Sequence, residues 1–548
     1  MSCLGALGYL KQNGQVTLTR QGVMKKMGFI IKTLDRATIL SIGMISVLIS
    51  LLSLSIPVAA QTLINLIAFG GLLQPVITLS VVVFVIMMAL GALHLWQIVI
   101  VEVIQQKLMV KISLDLTYQF SHLSLENFST HHGPELVNRF FEIVTVKKSI
   151  ASLLLYGVNL SLQLIFGLLL LLLYHPLFMV FDGFIILALL LAIFIPYGKG
   201  LETAEEECFQ KHQIGAWLEE ILINRCLFRF NLYHRYVTEQ ADKRLVSFLK
   251  ARNRHFKQLL KHQIGFYSLS ALASSLLLGM GGYLVINNQL SLGQLVAAEI
   301  VLGALIYAFK RFGVLLENYY DLRASLSKLE TVLNLPIDDF QEDLVALFVP
   351  ITTIQFKISG QEDAVASHES PLLIYSKLTE QCQNFTDEIL GFKQNITFEL
   401  FVNNTFCADK NRMLLRRFTL LIRRPEWFAG TIYDNLLLNQ PQISHEIIIE
   451  QLKNANLLDK IMREPKGLKT VIYEWKTLFT ELELIRFMVV RALIIKPQLL
   501  IIDRAFDLLD ENIDELISQL KTLENTILLV VSQHSDIKNI TNRLVLPS

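Results

Sequence analysis

Six stretches of this chain, about 39–68, 75–104, 150–174, 177–196, 263–287 and 294–318, are each apolar over about 20 residues or more, the length a helix needs to cross the hydrocarbon of a bilayer. All lie in the first three fifths of the 548 residues, and no run beyond residue 340 is long enough. The composition agrees: 53% of residues are hydrophobic and only 18% are charged, against about 25% in an ordinary globular protein. A net charge of +1 provides no concentrated basic field for nucleic acid. The five cysteines, Cys3, Cys208, Cys226, Cys382 and Cys407, form no CxxC pair, so the sequence predicts neither a disulfide scaffold nor a structural zinc site, and a reducing compartment. The first apolar run follows Lys25, Lys26, Lys32 and Arg36 and exceeds the core of a signal peptide, so it is expected to be retained.

Charge in the connecting segments predicts orientation. The first, third and fifth connections are short and carry no Lys or Arg, whereas the second carries Lys107, Lys111, Arg139, Lys147 and Lys148 and the fourth carries ten basic residues between Lys211 and Lys257. Cationic loops stay in the cytosol, so both termini are expected there, in the cytoplasmic membrane. The two long connections repeat apolar residues every three or four positions, as in WLEEILINRCLFRFNLYHRYV from Trp217, which predicts helical arms extending beyond the bilayer. Short transverse helices are expected from His131 and around Gly215 to Arg225. Glu299 in the sixth span and Asp182 in the fourth are the candidates to line a substrate cavity, because carboxylates inside spans are costly and mark pathways.

Beyond Pro336, apolar runs at 372–376, 418–422, 498–503 and 526–531 alternate with amphipathic helical stretches, predicting an α/β domain with a largely parallel sheet. Ligands in such sheets bind at strand C-termini. The expected organisation is a short cytosolic extension over 1–35, an all-α six-helix transmembrane domain over 36–330, and a cytosolic α/β domain over 331–548.

FAGTIYDNLLL from Phe428 and RALIIKPQLLIIDRAFDLLD from Arg491 to Asp510 resemble the nucleotide-binding domain of ATP-binding cassette (ABC) transporters. GPELVNRF at 133–140 and the stretch 292–312 are similar to the first coupling region and sixth helix of the exporter-type (type 1) branch that secretes peptides and toxins. The resemblance implies a P-loop-NTPase-like fold, a half-transporter that dimerises, and coupling regions at Gly133, Glu135 and Arg139 and at Gly215, Trp217 and Glu220.

The chemistry that the resemblance implies is not matched by the residues. Neither GxxxxGKS nor GxxxxGKT occurs anywhere; after the strand LLIY the chain runs YSKLTEQCQNFTDE without a glycine, so the domain lacks the P-loop, and Lys377 is the lysine in the neighbourhood. Arg423 stands at the Q-loop glutamine and FTELE at the signature, where Thr480 keeps a hydroxyl and Glu481 replaces a glycine. Asp503 matches the Walker B aspartate and could still hold magnesium, but Arg504 replaces the catalytic glutamate, and Ser532 falls at the switch histidine with His534 two residues on. Asp510 matches the D-loop aspartate. Purely structural roles compete: Asp503 as a strand cap, Arg504 as partner of a nearby carboxylate, Thr480 as a helix N-cap. No catalytic residue is expected to be intact and no cofactor is expected by the chain itself, with Lys377 and Asp503 as the residues left for nucleotide or magnesium. ATP and magnesium would then come through a partner subunit. Expected partners are a second half-transporter, membrane lipid and a membrane fusion protein, with no nucleic acid. The alternatives are an ATP-driven exporter with atypical sites and a membrane scaffold that does not transport.

Overall fold

The computed structural model describes residues 36–68, 73–124, 133–338, 350–393, 397–424, 426–438, 443–508, 513–535 and 537–547. The expected N-terminal extension, His131, His132 and Asp510 lie outside them. Two compact units divide between Pro336 and Ile337.

The first unit is all-α. Its helices are α1 (Arg36–Ser53), α2 (Ser55–Ala68), α3 (Leu73–Ser121), α4 (Gly133–Asn138), α5 (Glu142–Ser152), α6 (Val158–Tyr174), α7 (Phe178–Ile223), α8 (Arg225–Phe228), α9 (Asn231–Ile286) and α10 (Leu292–Leu333). They make six segments long and apolar enough to cross a membrane. Four of these, beginning at Leu73, Phe178, His234 and Leu292, are 42 to 53 residues long, and a spanning helix needs about 20. The helical arms therefore continue these spans, although the periodic stretch from Trp217 is itself divided among α7, α8 and α9.

Breaks fall where backbone chemistry demands them. Pro57 has no N–H for the Ser53 carbonyl, and the first span is interrupted at Leu54, between α1 and α2. Pro196 would do the same to α7, yet that helix runs on from Phe178 to Ile223. The Ala192 carbonyl that Pro196 cannot bond lies 2.9 Å from Nδ1 of His262 in α9. Nε2 of the same ring lies 2.9 Å from the Tyr320 hydroxyl of α10. A carbonyl only accepts, so Nδ1 carries the proton and Nε2 accepts from Tyr320. A neighbouring helix thereby satisfies the carbonyl that the proline frees.

Gly215, Trp217 and Glu220, expected on a separate transverse helix, belong instead to the last turns of α7. Nothing in the stretch from Gly215 stops a helix, and the break comes at Asn224, whose side chain bonds back to Glu220. The short separate helix of this region is α8 alone. A second polar tie holds three spans: Gln97 of α3, fully buried, donates to Ser46 of α1 at 3.0 Å and exchanges hydrogen bonds with Asn159 of α6.

In the second unit β3 (Leu372–Tyr375), β6 (Thr419–Ile422), β9 (Leu499–Asp503), β10 (Ile527–Ser532) and β11 (Asn542–Val545) form a parallel sheet in the order β11-β3-β10-β9-β6. The four apolar runs of the sequence supply four of its strands. A smaller antiparallel sheet joins β1 (Thr353–Lys357), β2 (Ala364–Ser367), β4 (Glu399–Val402) and β5 (Thr405–Phe406). Every residue of β9 and β10 is buried, because both faces of the sheet are covered. Leu372, Ile374, Ile501 and Leu529 pack with α11 (Thr379–Ile389), whereas Leu373, Leu500, Ile502 and Val530 pack with α12 (Glu481–Ile495) and α13 (Ile513–Leu520).

The proline repair makes a test of the first unit. His262→Ala leaves the Ala192 carbonyl without a donor and should cost about 1–3 kcal/mol, read as a lower unfolding temperature in detergent. Pro196→Ala restores the N–H within α7, so His262→Ala made in that background should cost measurably less.

Candidate functional site

The C-terminal edge of the parallel sheet gathers what the sequence left scattered. Register sets Asp503 of β9 beside Val531 of β10, and Ser532 beside Tyr375 of β3, so three strand ends open on one place. The chain leaves β6 immediately before Arg423.

Asp503 is fully buried there. Arg423 donates through Nε to its Oδ2 at 2.5 Å, and Arg504 donates through Nε to its Oδ1 at 3.0 Å. Arg423 also pairs through Nη2 with Asp387 of α11 at 2.7 Å, and Nη2 of Arg504 reaches Gln383 at 3.4 Å. Two carboxylates and two guanidiniums balance. Arg504 has a φ of +56°, a left-handed conformation uncommon for a residue with a Cβ, and its N–H is held by the Val531 carbonyl at 2.8 Å. The backbone is bent to turn this arginine back onto the aspartate that precedes it.

Between β3 and α11 only Ser376, Lys377 and Leu378 intervene. The Leu378 N–H is taken by the Ser376 hydroxyl at 3.1 Å, and Gln533 bridges from the Lys377 carbonyl at 3.3 Å to the Thr379 hydroxyl. The Lys377 side chain is exposed. Beneath the turn the Cys382 thiol, pushed up to about 11 by burial and by Asp503 and Asp507 nearby, stays protonated. Ser532 donates to Asp507, whose second oxygen accepts the Gln533 N–H at 3.0 Å. His534 lies past the end of β10 and is exposed; the strand alternation that would have set it on the Ser532 face stops at Ser532.

Thr480 is the N-cap of α12, in a capping box with Glu483. The Glu483 N–H donates to the Thr480 hydroxyl at 3.2 Å, the Thr480 N–H donates to Glu483 at 2.8 Å, and Lys460 adds a bond at 2.6 Å. Burial alone would raise the Glu483 carboxyl, but the bonds from Lys460 and Thr480 hold it below the usual range. Glu481, exposed, begins the helix. Thr480 and Glu481 thus make a helix start of their own, while Arg423, Asp503 and Arg504 form one cluster.

In the first unit the two coupling stretches meet. Asn138 of α4 donates to Glu219 of α7 and lies beside Gly215. Arg139 pairs with Glu135 at 3.1 Å. Trp217 is buried under the Arg244 guanidinium, 4.5 Å above its ring. Asp182 and Glu299 lie on α7 and α10, each with a buried carboxylate oxygen that no described residue bonds. Asp387, Gln383 and Gln533 escaped the sequence reading, since none stands in a recognisable spacing; only strand register brings them to the cluster.

Comparison with known proteins places this geometry. Residues 39–309 match the family described as ABC transporter transmembrane region. The membrane half is thus similar to an ABC transporter transmembrane region. The leukotoxin translocation ATP-binding protein of Mannheimia haemolytica is 24% identical over 333 residues, 57% of this chain and 46% of that protein. The toxin RTX-III translocation ATP-binding protein of Actinobacillus pleuropneumoniae is 23% identical over 334 residues, with the same coverage of 57% and 46%. The chain spans about half the length of these curated relatives. The solved structure of a bacterial Atm1-family ABC exporter with ATP bound matches at a TM-score of 0.78 and 15% identity over 93% of each chain, which shows the exporter fold. With six segments able to span a bilayer and this transmembrane region, the chain is an integral membrane protein.

Two measurements check the site. Asp503→Asn leaves two largely buried guanidiniums facing a neutral amide and should destabilise the second unit by about 3–5 kcal/mol in denaturant unfolding of the whole chain, with part of that loss recovered when Arg423→Gln is added. Glu483 has a folded pKa below its ordinary 4.5, so its contribution is complete above that value and is lost as pH falls through the folded pKa. Unfolding followed across the acid range should show this loss, and Glu483→Gln should remove it.

Proposed function

We propose that the chain is an exporter-type half-transporter subunit whose cassette serves as a structural or regulatory partner and does not bind and split ATP. The single observation that carries the reading is Asp503, whose two carboxylate oxygens are both taken by guanidiniums of the chain. A Walker B aspartate needs those oxygens for a magnesium ion and its water, and Arg423 and Arg504 already supply the positive charge. The residues present do not fit magnesium triphosphate elsewhere either. A phosphate cradle needs a row of free backbone N–H groups that glycines leave accessible, and the turn of Ser376 to Leu378 is short, lacks glycine and is bridged by Gln533. At α12 the capping box takes up the Thr480 and Glu483 N–H groups, and the Glu481 carboxylate repels an anion. Arg504 cannot serve as the base that a catalytic glutamate provides.

In this reading the subunit resides in the cytoplasmic membrane with both termini in the cytosol and pairs with a second half-transporter, and a membrane fusion protein joins the assembly. The relatives named for leukotoxin and RTX toxin translocation support a peptide or protein cargo. Asp182 and Glu299 are the cavity candidates, their unbonded oxygens being free to meet cargo or water.

Full-length protein in lipid nanodiscs should hydrolyse ATP no faster than empty nanodiscs and should not be photolabelled by an azido-ATP analogue with magnesium. Turnover at the rate of a working exporter, abolished by Asp503→Asn or by Lys377→Ala at an exposed position, would overturn the proposal in favour of an ATP-driven exporter with unusual ligands. Cargo uptake into vesicles that hold this subunit together with an intact cassette subunit, absent from vesicles with either alone, is the expected transport result; no uptake in any combination would assign a scaffold.

A further inference from the structure

The arms of the first unit carry a buried cluster that the nucleotide question does not touch. Glu142, the first residue of α5, has a side chain only 4% exposed, and it faces α7, where Cys208 and His212 stand four residues apart on one helical face. One ligand atom from each of the three lies within 4.8 Å of the others. Four atoms bound tetrahedrally to zinc stand about 3.5 Å from one another, given metal–ligand bonds of about 2.0–2.3 Å. The His212 Nε2 is buried and lies 3.1 Å from Glu142 Oε1. A ring nitrogen and a carboxylate oxygen that close are spaced much as two ligands of one ion are.

Lys211 donates to Glu142 Oε1 at 2.6 Å, and Ser325 of α10 donates to Oε2 at 2.5 Å. The lysine occupies the position of a cation, and its side chain is 52% exposed, so it can leave into water without crossing the core. Charge stays balanced through the exchange. Before it, one carboxylate faces one ammonium; after it, one carboxylate and one thiolate face a divalent ion, and the thiol proton has gone to solvent. The S–H bond breaks, the metal–sulfur bond forms, and nothing is oxidised.

We propose that Glu142, Cys208 and His212 bind one zinc ion that displaces Lys211 and fastens α5 to α7. A thiolate, an imidazole and a carboxylate suit zinc over calcium or magnesium, which take oxygen. The ion would join the helix that opens the third span to the cytosolic continuation of the fourth, and so stiffen the arms.

The test uses the full chain in detergent, stripped with a chelator and titrated with zinc against a chromophoric competitor, with cobalt as a spectroscopic stand-in. One zinc per chain is expected, and cobalt should give a thiolate-to-metal charge-transfer band. Cys208→Ser should abolish the band and weaken zinc at least about tenfold, while Cys3→Ser and Cys226→Ser leave both unchanged. Lys211→Met should tighten zinc, a result that a merely structural lysine–glutamate pair does not produce. Size-exclusion elution of each variant separates loss of site from loss of fold. No stoichiometric zinc in wild type, binding that survives Cys208→Ser in a folded protein, binding that follows Cys226 instead, or no tightening in folded Lys211→Met would each overturn the assignment.

Discussion

A carboxylate with no exposure to water must find positive charge inside the protein, and at the end of β9 that requirement organises the second unit. Asp503 closes β9, a fully buried apolar strand flanked by β10 and β6, where no solvent reaches it. An isolated charge there would cost several kcal/mol, so the fold persists only with counter-charges in place. Arg423 comes from the exit of β6, Arg504 from the residue that follows, and Asp387 from α11 closes the circuit by pairing with Arg423. Because the charges belong to three elements, the cluster ties the sheet to α11.

The membrane half solves the same problem with neutral groups. In hydrocarbon an unbonded carbonyl has no water to turn to. His262 answers the carbonyl left by Pro196 and accepts from Tyr320 through its other nitrogen, and Gln97 with Asn159 and Ser46 joins three spans. Apolar side chains gain little from leaving lipid for one another, so such polar ties, though each is modest, specify which helices meet and in what register. The carboxylates Asp182 and Glu299 differ because they retain unbonded oxygens.

What could be read from the sequence follows from how local each cause is. Six spans, four strands of the parallel sheet and the Thr480 cap are written in runs or spacings of a few residues. Pro57 announces its own break. The continuity of α7 through Pro196 was not legible, since it depends on a histidine 66 residues later. Arg504 could be suspected of pairing with a carboxylate, but that Arg423 would close on the same aspartate requires the neighbouring register of β6 and β9. Gly215 misled for the opposite reason: glycine suggests a break, while the flanking residues are good helix formers and Asn138 packs beside it.

In a dimer of cassettes, each nucleotide is clasped between the strand-end loop of one subunit and the signature helix of the other, as the family resemblance implies. Under the function proposed above, the two halves of that contribution are closed by unrelated means, one by salt bridges at a sheet edge and the other by a capping box at a helix start. Removing Arg504 still leaves Arg423 on Asp503, and removing Glu481 still leaves Glu483 on the Thr480 N–H. On that proposed reading, such local bonds would present a partner with a steady surface, which suits a structural or regulatory subunit better than a motor.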